Sequence, residues 1–114
     1  MNEMDNIKNA LLAQVFSAPD LVKYQDGAVV SRTLINKPAG TVTLFSFAKG
    51  QGLSEHTAPF DAMVYLLEGE AEILIAGDPH IVKAHDLIIM PANIPHALKA
   101  LTPFKMMLVM IKSK

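Results

Sequence analysis

The stretch "AMVYLLEGEAEILIAGDPHIVKAHDLIIM", residues 62–90, decides the fold class. It contains short runs rich in aliphatic and β-branched residues: "AMVYLL", "AEILIA", "HIVKA" and "DLIIM". The turn signals "EGE" and "AGDP" separate the first three of these runs. No segment between the runs is long enough for the crossover helix that neighbouring parallel strands need. The stretch therefore predicts antiparallel β-strands.

The same pattern continues on both sides of this stretch. "AVVSRTLI" and "TVTLFSFA" precede it, "FKMMLVMI" follows it, and "NKPAG", "KGQG", "PANIP" and "LTP" supply the turns. Many short strands in a chain of 114 residues predict one all-β domain, an antiparallel sandwich or barrel, over residues 20–114. Residues 1–19 are predicted to form a short N-terminal helix and lead-in, because Ile7, Leu11 and Val15 follow one another at four-residue spacing and Pro19 ends the pattern.

Composition excludes several classes of function. The chain has no cysteine, so disulfides, thiolate metal sites and cysteine nucleophiles are ruled out. A formal net charge of −1 with scattered lysines gives no basic surface for nucleic acid. No apolar run approaches the length of a membrane span, and Glu3 and Asp5 stand where a secretory signal would be positive. We therefore expect a cytoplasmic protein with neither nucleic acid nor membrane as partner.

Two of the predicted strands are apolar on both faces. In "AMVYLL" and in "FKMMLVMI", alternate residues on either side are aliphatic, aromatic or methionine. A barrel wall has only one inner face, so the outer apolar face needs a cover. We expect a second copy of the chain to supply it, which predicts a homodimer. The alternative is that the N-terminal helix covers this face within one chain.

Two spaced patterns carry the candidate site. The first is Gly50, five residues, His56, Thr57, Ala58, three residues, Ala62, six residues and Gly69. The second is "HDLIIMPANIPHALKA", residues 85–100, with Pro91 and His96 at its centre. With these patterns, residues 40–111 resemble the cupin family. The resemblance implies an all-β double-stranded β-helix, or jelly-roll barrel, here preceded by the short N-terminal helix.

The resemblance also implies where a metal would bind. Most cupins hold one with two histidines and a glutamate from the first pattern and a histidine from the second. This chain keeps His56 and His96 but has Ala58 and Ala62 where the family has the other histidine and the glutamate. In the second pattern His85 and Asn93 replace glycines and Ala100 replaces an asparagine, although asparagine tolerates the left-handed turn that glycine serves. The metal site is therefore expected to be broken.

Few other acidic or imidazole side chains could substitute for the missing ligands. Asp61, one residue before the lost glutamate, is the candidate third ligand if the "APF" turn brings it inward. Glu55 should face outward beside His56. His85 should lie at the opposite end of the barrel from His96, because the extended run "DLIIM" separates it from Pro91. His80 is expected at the surface.

These patterns support a small-molecule-binding barrel as the first hypothesis. His56 and His96 would anchor the ligand, and Ala58 and Ala62 would provide space for it in an apolar chamber. One alternative is a metal-dependent enzyme of oxygenase or isomerase type, in which His56, His96 and Asp61 hold Fe, Mn, Ni or Zn. Two others are a metal-free acid–base enzyme that uses the two histidines, and a structural or sensing domain without a ligand. The identity of the ligand is not encoded in these patterns.

Overall fold

The computed structural model describes residues 11–112, and these form two antiparallel sheets. The strands are β1 (Val29–Lys37), β2 (Gly40–Phe47), β3 (Gly52–His56), β4 (Asp61–Glu68), β5 (Glu70–Ile75), β6 (Asp78–Lys83), β7 (Leu87–Met90), β8 (His96–Ala100) and β9 (Phe104–Ile111). One sheet has the order β1-β2-β9-β4-β7 and the other has the order β3-β8-β5-β6. The predicted jelly-roll barrel is confirmed. All seven predicted runs form strands.

The N-terminal segment differs in detail from the predicted helix. Residues 1–10, which include the first half of that helix, lie outside the described residues. Residues 11–13 form a turn, residues 14–17 have no regular structure, and the short helix is a 3₁₀ helix at Ala18–Leu21. Pro19 lies in the first turn of this helix rather than ending one, a position where its missing N–H costs nothing.

The 3₁₀ helix and the residues just after it are held on the outer face of the five-stranded sheet by outward-pointing side chains. Arg32 donates to the carbonyl of Leu21 at 3.2 Å, and Ser46 donates to the carbonyl of Lys23 at 2.7 Å. Lys105 donates to the carbonyl of Pro19 at 2.7 Å. Residues 19–23 thus cover the end of the outer face near these side chains, and among residues 11–112 no other segment covers the rest of that face.

Aromatic and aliphatic residues fill one end of the barrel. Phe47 and Phe104 stack with ring centroids 4.4 Å apart, and Phe45 continues the stack at 5.9 Å from Phe47. Leu66 and Ile73, from opposite sheets, are fully buried with them. Burying a large apolar side chain contributes roughly 2 kcal/mol, so this layer stabilises the barrel and closes it at one end. The candidate site lies toward the other end.

At four glycine positions of the two spaced patterns, the turns have the left-handed backbone that glycine favours. Gly50 and Gly69 of the first pattern have φ of 82° and 83°. His85 and Asn93, which replace glycines in the second pattern, have φ of 73° and 64°. The expectation that Asn93 accepts a left-handed turn is confirmed, and His85 accepts one as well. No helix within residues 11–112 is long and apolar enough to cross a membrane.

Candidate functional site

A β-bulge places His56 on the inner wall of the barrel. β3 pairs with β8 through Gly52 opposite Lys99, Leu53 opposite Leu98 and His56 opposite His96. β3 therefore has one more residue than β8 between the last two pairs. Without that extra residue, strict alternation would point Glu55 inward with Leu53 and turn His56 to solvent. The bulge sets His56 on the same face as Leu53 and directly opposite His96.

The two imidazole rings contact each other across this strand pair. Their Nε2 atoms lie 3.1 Å apart, with ring centroids at 4.3 Å and ring planes at 72°. The other ring nitrogens face backbone carbonyls: His56 Nδ1 is 2.8 Å from the oxygen of Ser54, and His96 Nδ1 is 3.2 Å from the oxygen of Ile94. His56 is exposed at the mouth, whereas His96 is buried behind it with 4% of its surface accessible.

Burial controls the protonation of the inner histidine. Loss of solvation lowers the pKa of His96 below its ordinary value of 6.5, and the nearby His56 lowers it further. The carbonyl of Ile94 acts in the opposite direction, because it stabilises a proton on Nδ1. The His96 ring is therefore neutral at pH 7, and a neutral imidazole has one donor nitrogen and one acceptor nitrogen.

A cavity of about 50 Å³ opens beside the two rings. All four residues predicted to bind a ligand line it: His56, His96, Ala58 and Ala62. The rest of the lining is apolar: Leu53, Met90, Leu98, Met106, Leu108 and Met110. The cavity is small, because methionine and leucine side chains occupy much of the space that the two alanines leave. Drug-sized ligands usually need at least about 300 Å³.

Hydrogen bonds between two loops fix the mouth of the cavity. The N–H of Asn93 donates to the carbonyl of Ala58 at 2.7 Å, and the N–H of Ala92 donates to Asp61 Oδ1 at 2.9 Å. The loop between β3 and β4 is thus tied to the turn between β7 and β8. Ala58 keeps its place at the rim through this connection.

The sequence and the structure both match known proteins with this barrel. A family model for the cupin domain matches residues 43–112.

The chain belongs to the cupin family.

Among solved structures, this cupin is similar to a conserved protein of unknown function from Streptococcus pyogenes, with 40% identity, 90% of each chain covered and a TM-score of 0.85. It is 43% identical to a cupin 2 conserved barrel domain protein from Leptotrichia buccalis, over 85% of this chain and 47% of that one, with a TM-score of 0.83. A cupin superfamily protein from Desulfitobacterium hafniense is 26% identical over 90% and 94% of the two chains, with a TM-score of 0.85. Among curated proteins, none matches this chain.

The donor atoms in this cupin do not fit a metal held by the protein alone. Within residues 11–112, no three His, Cys, Asp or Glu side chains come together in a way that could hold an ion. The structure does not bring Asp61 to the histidines: its carboxylate accepts from Ala92, and it lines a groove on the outer face beside Met63. Two imidazoles remain, whereas a catalytic zinc needs three protein ligands.

The remaining ionisable candidates lie away from the cavity. Glu55 and His80 are exposed, His80 on the edge strand β6. His85 follows β6, and its Nδ1 lies 3.1 Å from the hydroxyl of Tyr65. His85 precedes β7, whereas Met90, which lines the cavity, is the last residue of that strand. None of the three is among the cavity-lining residues.

The sequence predicted four residues that line the cavity, but it did not predict what shapes the cavity. The bulge in β3 has no signature in "GLSEH", where simple alternation predicts an unbroken strand. The three cavity methionines, Met90, Met106 and Met110, lie in strands as predicted, but alternation does not predict that they line a pocket. The glycine that precedes His56 with five residues between, Gly50, is the one signal that could have suggested an irregular strand there.

Proposed function

We propose that this cupin binds a small molecule in the barrel cavity, with the His56–His96 pair as the polar anchor. The observation that carries the proposal is the position of the pair: two imidazoles converge on the one polar region of an otherwise apolar cavity. Small-molecule sites typically combine an apolar lining with a few convergent polar groups.

The cavity lining supports a ligand that is small or that displaces flexible side chains. Met90, Met106 and Met110 are among the residues that line the cavity. Methionine is unbranched and has three rotatable side-chain bonds beyond the backbone, so these walls can rearrange at low cost. A ligand larger than about 50 Å³ would enter by moving them rather than by moving a strand.

A fragment screen followed by protein NMR tests the proposal. Fragments that bind should shift the methyl signals of Ala58, Ala62 and the cavity methionines. Ala58→Leu should block binding, because the added carbons project from the rim into the cavity. Ala84→Leu is the matched control, since Ala84 is exposed in a loop outside the cavity. A screen with no cavity binders, or equal binding by both variants, would contradict the proposal.

The alternative function is a metal-dependent oxygenase or isomerase. The approach of the two Nε2 atoms to 3.1 Å favours it, because both could face one ion. It needs a carboxylate, and Asp61 could supply one only by giving up its bond to Ala92. Elemental analysis of protein purified without chelator decides between the two. Near-stoichiometric metal that both His56→Ala and His96→Ala lose would support the enzyme.

We also propose that the protein is a homodimer through the open part of the outer sheet face. The exposed side chains of Leu87, Ile89 and Ile111 lie there, next to Met63 and Val109 on neighbouring strands. Apolar surface that is contiguous and unpaired usually meets a partner. A second copy offers the same face, and a two-fold axis would set one against the other.

A further inference from the structure

We infer that the ligand of the His56–His96 pair is a neutral hydrogen-bond donor, an amide NH₂, amine or alcohol group on a small apolar body, and not a carboxylate. This inference rests on the proposed function, because it concerns the same cavity. It follows from the pattern of hydrogen bonds around the two rings.

Backbone carbonyls fix which nitrogen of each ring carries the proton. A carbonyl oxygen can only accept, so the contacts of Nδ1 with Ser54 on one ring and with Ile94 on the other require N–H at both Nδ1 positions. A neutral imidazole has one N–H. In the neutral form of each ring, Nε2 therefore presents a lone pair.

These two lone pairs face each other at 3.1 Å. They cannot satisfy one another, because a hydrogen bond between them would need a further proton. An unpaired buried acceptor is costly, and His96 is buried, so a group that donates to its Nε2 removes that cost. A single N–H or O–H hydrogen directed between two acceptors this close together can be shared by both.

The rest of the lining excludes charged ligands. The side chains other than the two histidines are Leu, Ala and Met, with no Lys or Arg to pair with a carboxylate and no Asp or Glu to pair with an ammonium. A buried ion without a partner is strongly disfavoured. A carboxylate would in addition turn its own lone pairs toward those of the two Nε2 atoms.

Ring ¹⁵N NMR at pH 7.5 tests the proton positions directly. Both His56 and His96 should show the tautomer with the proton on Nδ1. His80, exposed on β6, is the internal reference for a ring in solvent. A proton on Nε2 of either ring would overturn the inference, because the pair would then satisfy itself. Stoichiometric metal in the purified protein would also overturn it, because the metal would occupy the Nε2 lone pairs.

Propanamide and propanoate, which have nearly the same shape, test the ligand class. We expect propanamide to shift both Nε2 signals and the Ala58 and Ala62 methyls with a dissociation constant on the order of millimolar. It should bind at least tenfold more tightly than propanoate. His56→Phe should reduce that preference to less than about threefold, while His80→Phe, the matched surface change, should leave it intact.

The outcomes separate this inference from the proposed function. Equal or tighter binding of propanoate overturns the donor inference and leaves a small-molecule cavity. Binding of neither compound by a protein whose cavity accepts other fragments has the same meaning. A fragment screen with no cavity binder of any kind removes the proposed function, and the inference with it.

Discussion

His96 couples the site to the stability of the barrel. Of the four histidines it alone is buried, and it lies at the inner end of the cavity. Desolvation lowers its pKa in the folded protein, while in the unfolded chain the pKa returns to about 6.5. The burial that keeps this ring neutral therefore also lowers the stability of the folded protein in acid.

Stability should fall as the pH drops below 6.5. In that range the unfolded chain binds a proton at His96 before the folded chain does, so acid favours unfolding; above 6.5 both states are neutral and the contribution is fully retained. One group changes the free energy of unfolding by at most about 1.4 kcal/mol per pH unit. Urea unfolding at pH 7.5 and 5.5 should show a larger loss for the wild type than for His96→Gln.

His80→Gln is the control for this comparison, because His80 is exposed. Its loss of stability between the two pH values should equal that of the wild type. A wild type that gains stability in acid relative to His96→Gln would mean that the two imidazoles share a proton. That result would also count against the donor inference.

Among the elements, the turn between β7 and β8 supports the rim of the cavity. Its backbone N–H groups at Ala92 and Asn93 donate to Asp61, the first residue of β4, and to Ala58 in the loop before it. The aspartate considered as a metal ligand therefore has a structural partner in this fold. Its carboxylate acts on the cavity indirectly, by holding the two loops together.

Asp61→Asn and Asp61→Ala separate these two roles. The asparagine oxygen can still accept from Ala92, so we expect its free energy of unfolding to stay within about 0.5 kcal/mol of the wild type, whereas alanine should lose about 1 kcal/mol. Thermal or urea unfolding measures both. If Asp61 were a metal ligand, asparagine would lose bound metal while keeping the fold, an outcome that elemental analysis of the same samples would reveal.

The sequence predicted the strands that are rich in apolar residues. It did not predict the two strands that carry the histidines of the site. The seven predicted runs have continuous or alternating apolar residues, which signal burial in a sheet. The two strands outside those runs, β3 and β8, are five residues each and carry polar side chains. They contain His56 and His96. The motif spacing located these histidines, but pairing across β3 and β8, which no local pattern encodes, made them neighbours.

The hairpin between β5 and β6 shows a further local feature that alternation does not encode. Ala76 and Gly77 have φ of 51° and 82°, the two positive values of a type I′ turn. Alanine is poorly suited to that backbone, and asparagine is well suited. Ala76→Asn should therefore raise the free energy of unfolding by about 0.5–1 kcal/mol in urea titrations. Ala84→Asn, in a loop without positive φ at that residue, should gain nothing, and an equal gain would refute the turn argument.

At the scale of the whole molecule, one end of the outer face of the five-stranded sheet is better covered than the other. The 3₁₀ helix and the residues just after it protect this face near Arg32, Ser46 and Lys105. Away from them, Asp61, Met63, Ile89, Val109 and Ile111 surround a groove of about 330 Å³. The chain's own 3₁₀ segment thus covers one end of this face, and the proposed second copy would cover the remainder.

Ile89→Lys tests that proposal. A two-fold contact would bury this charged side chain twice in a largely apolar groove, so the dimer dissociation constant should rise by at least about 100-fold. Sedimentation equilibrium at micromolar concentrations would measure the change. Ile81→Lys is the matched control: Ile81 is 52% exposed against 57% for Ile89, but it lies on the other sheet. If the dimer uses the groove face, Ile81→Lys stays dimeric. A wild type that is monomeric at these concentrations, or two variants that dissociate alike, would place the contact elsewhere and leave the groove without an occupant.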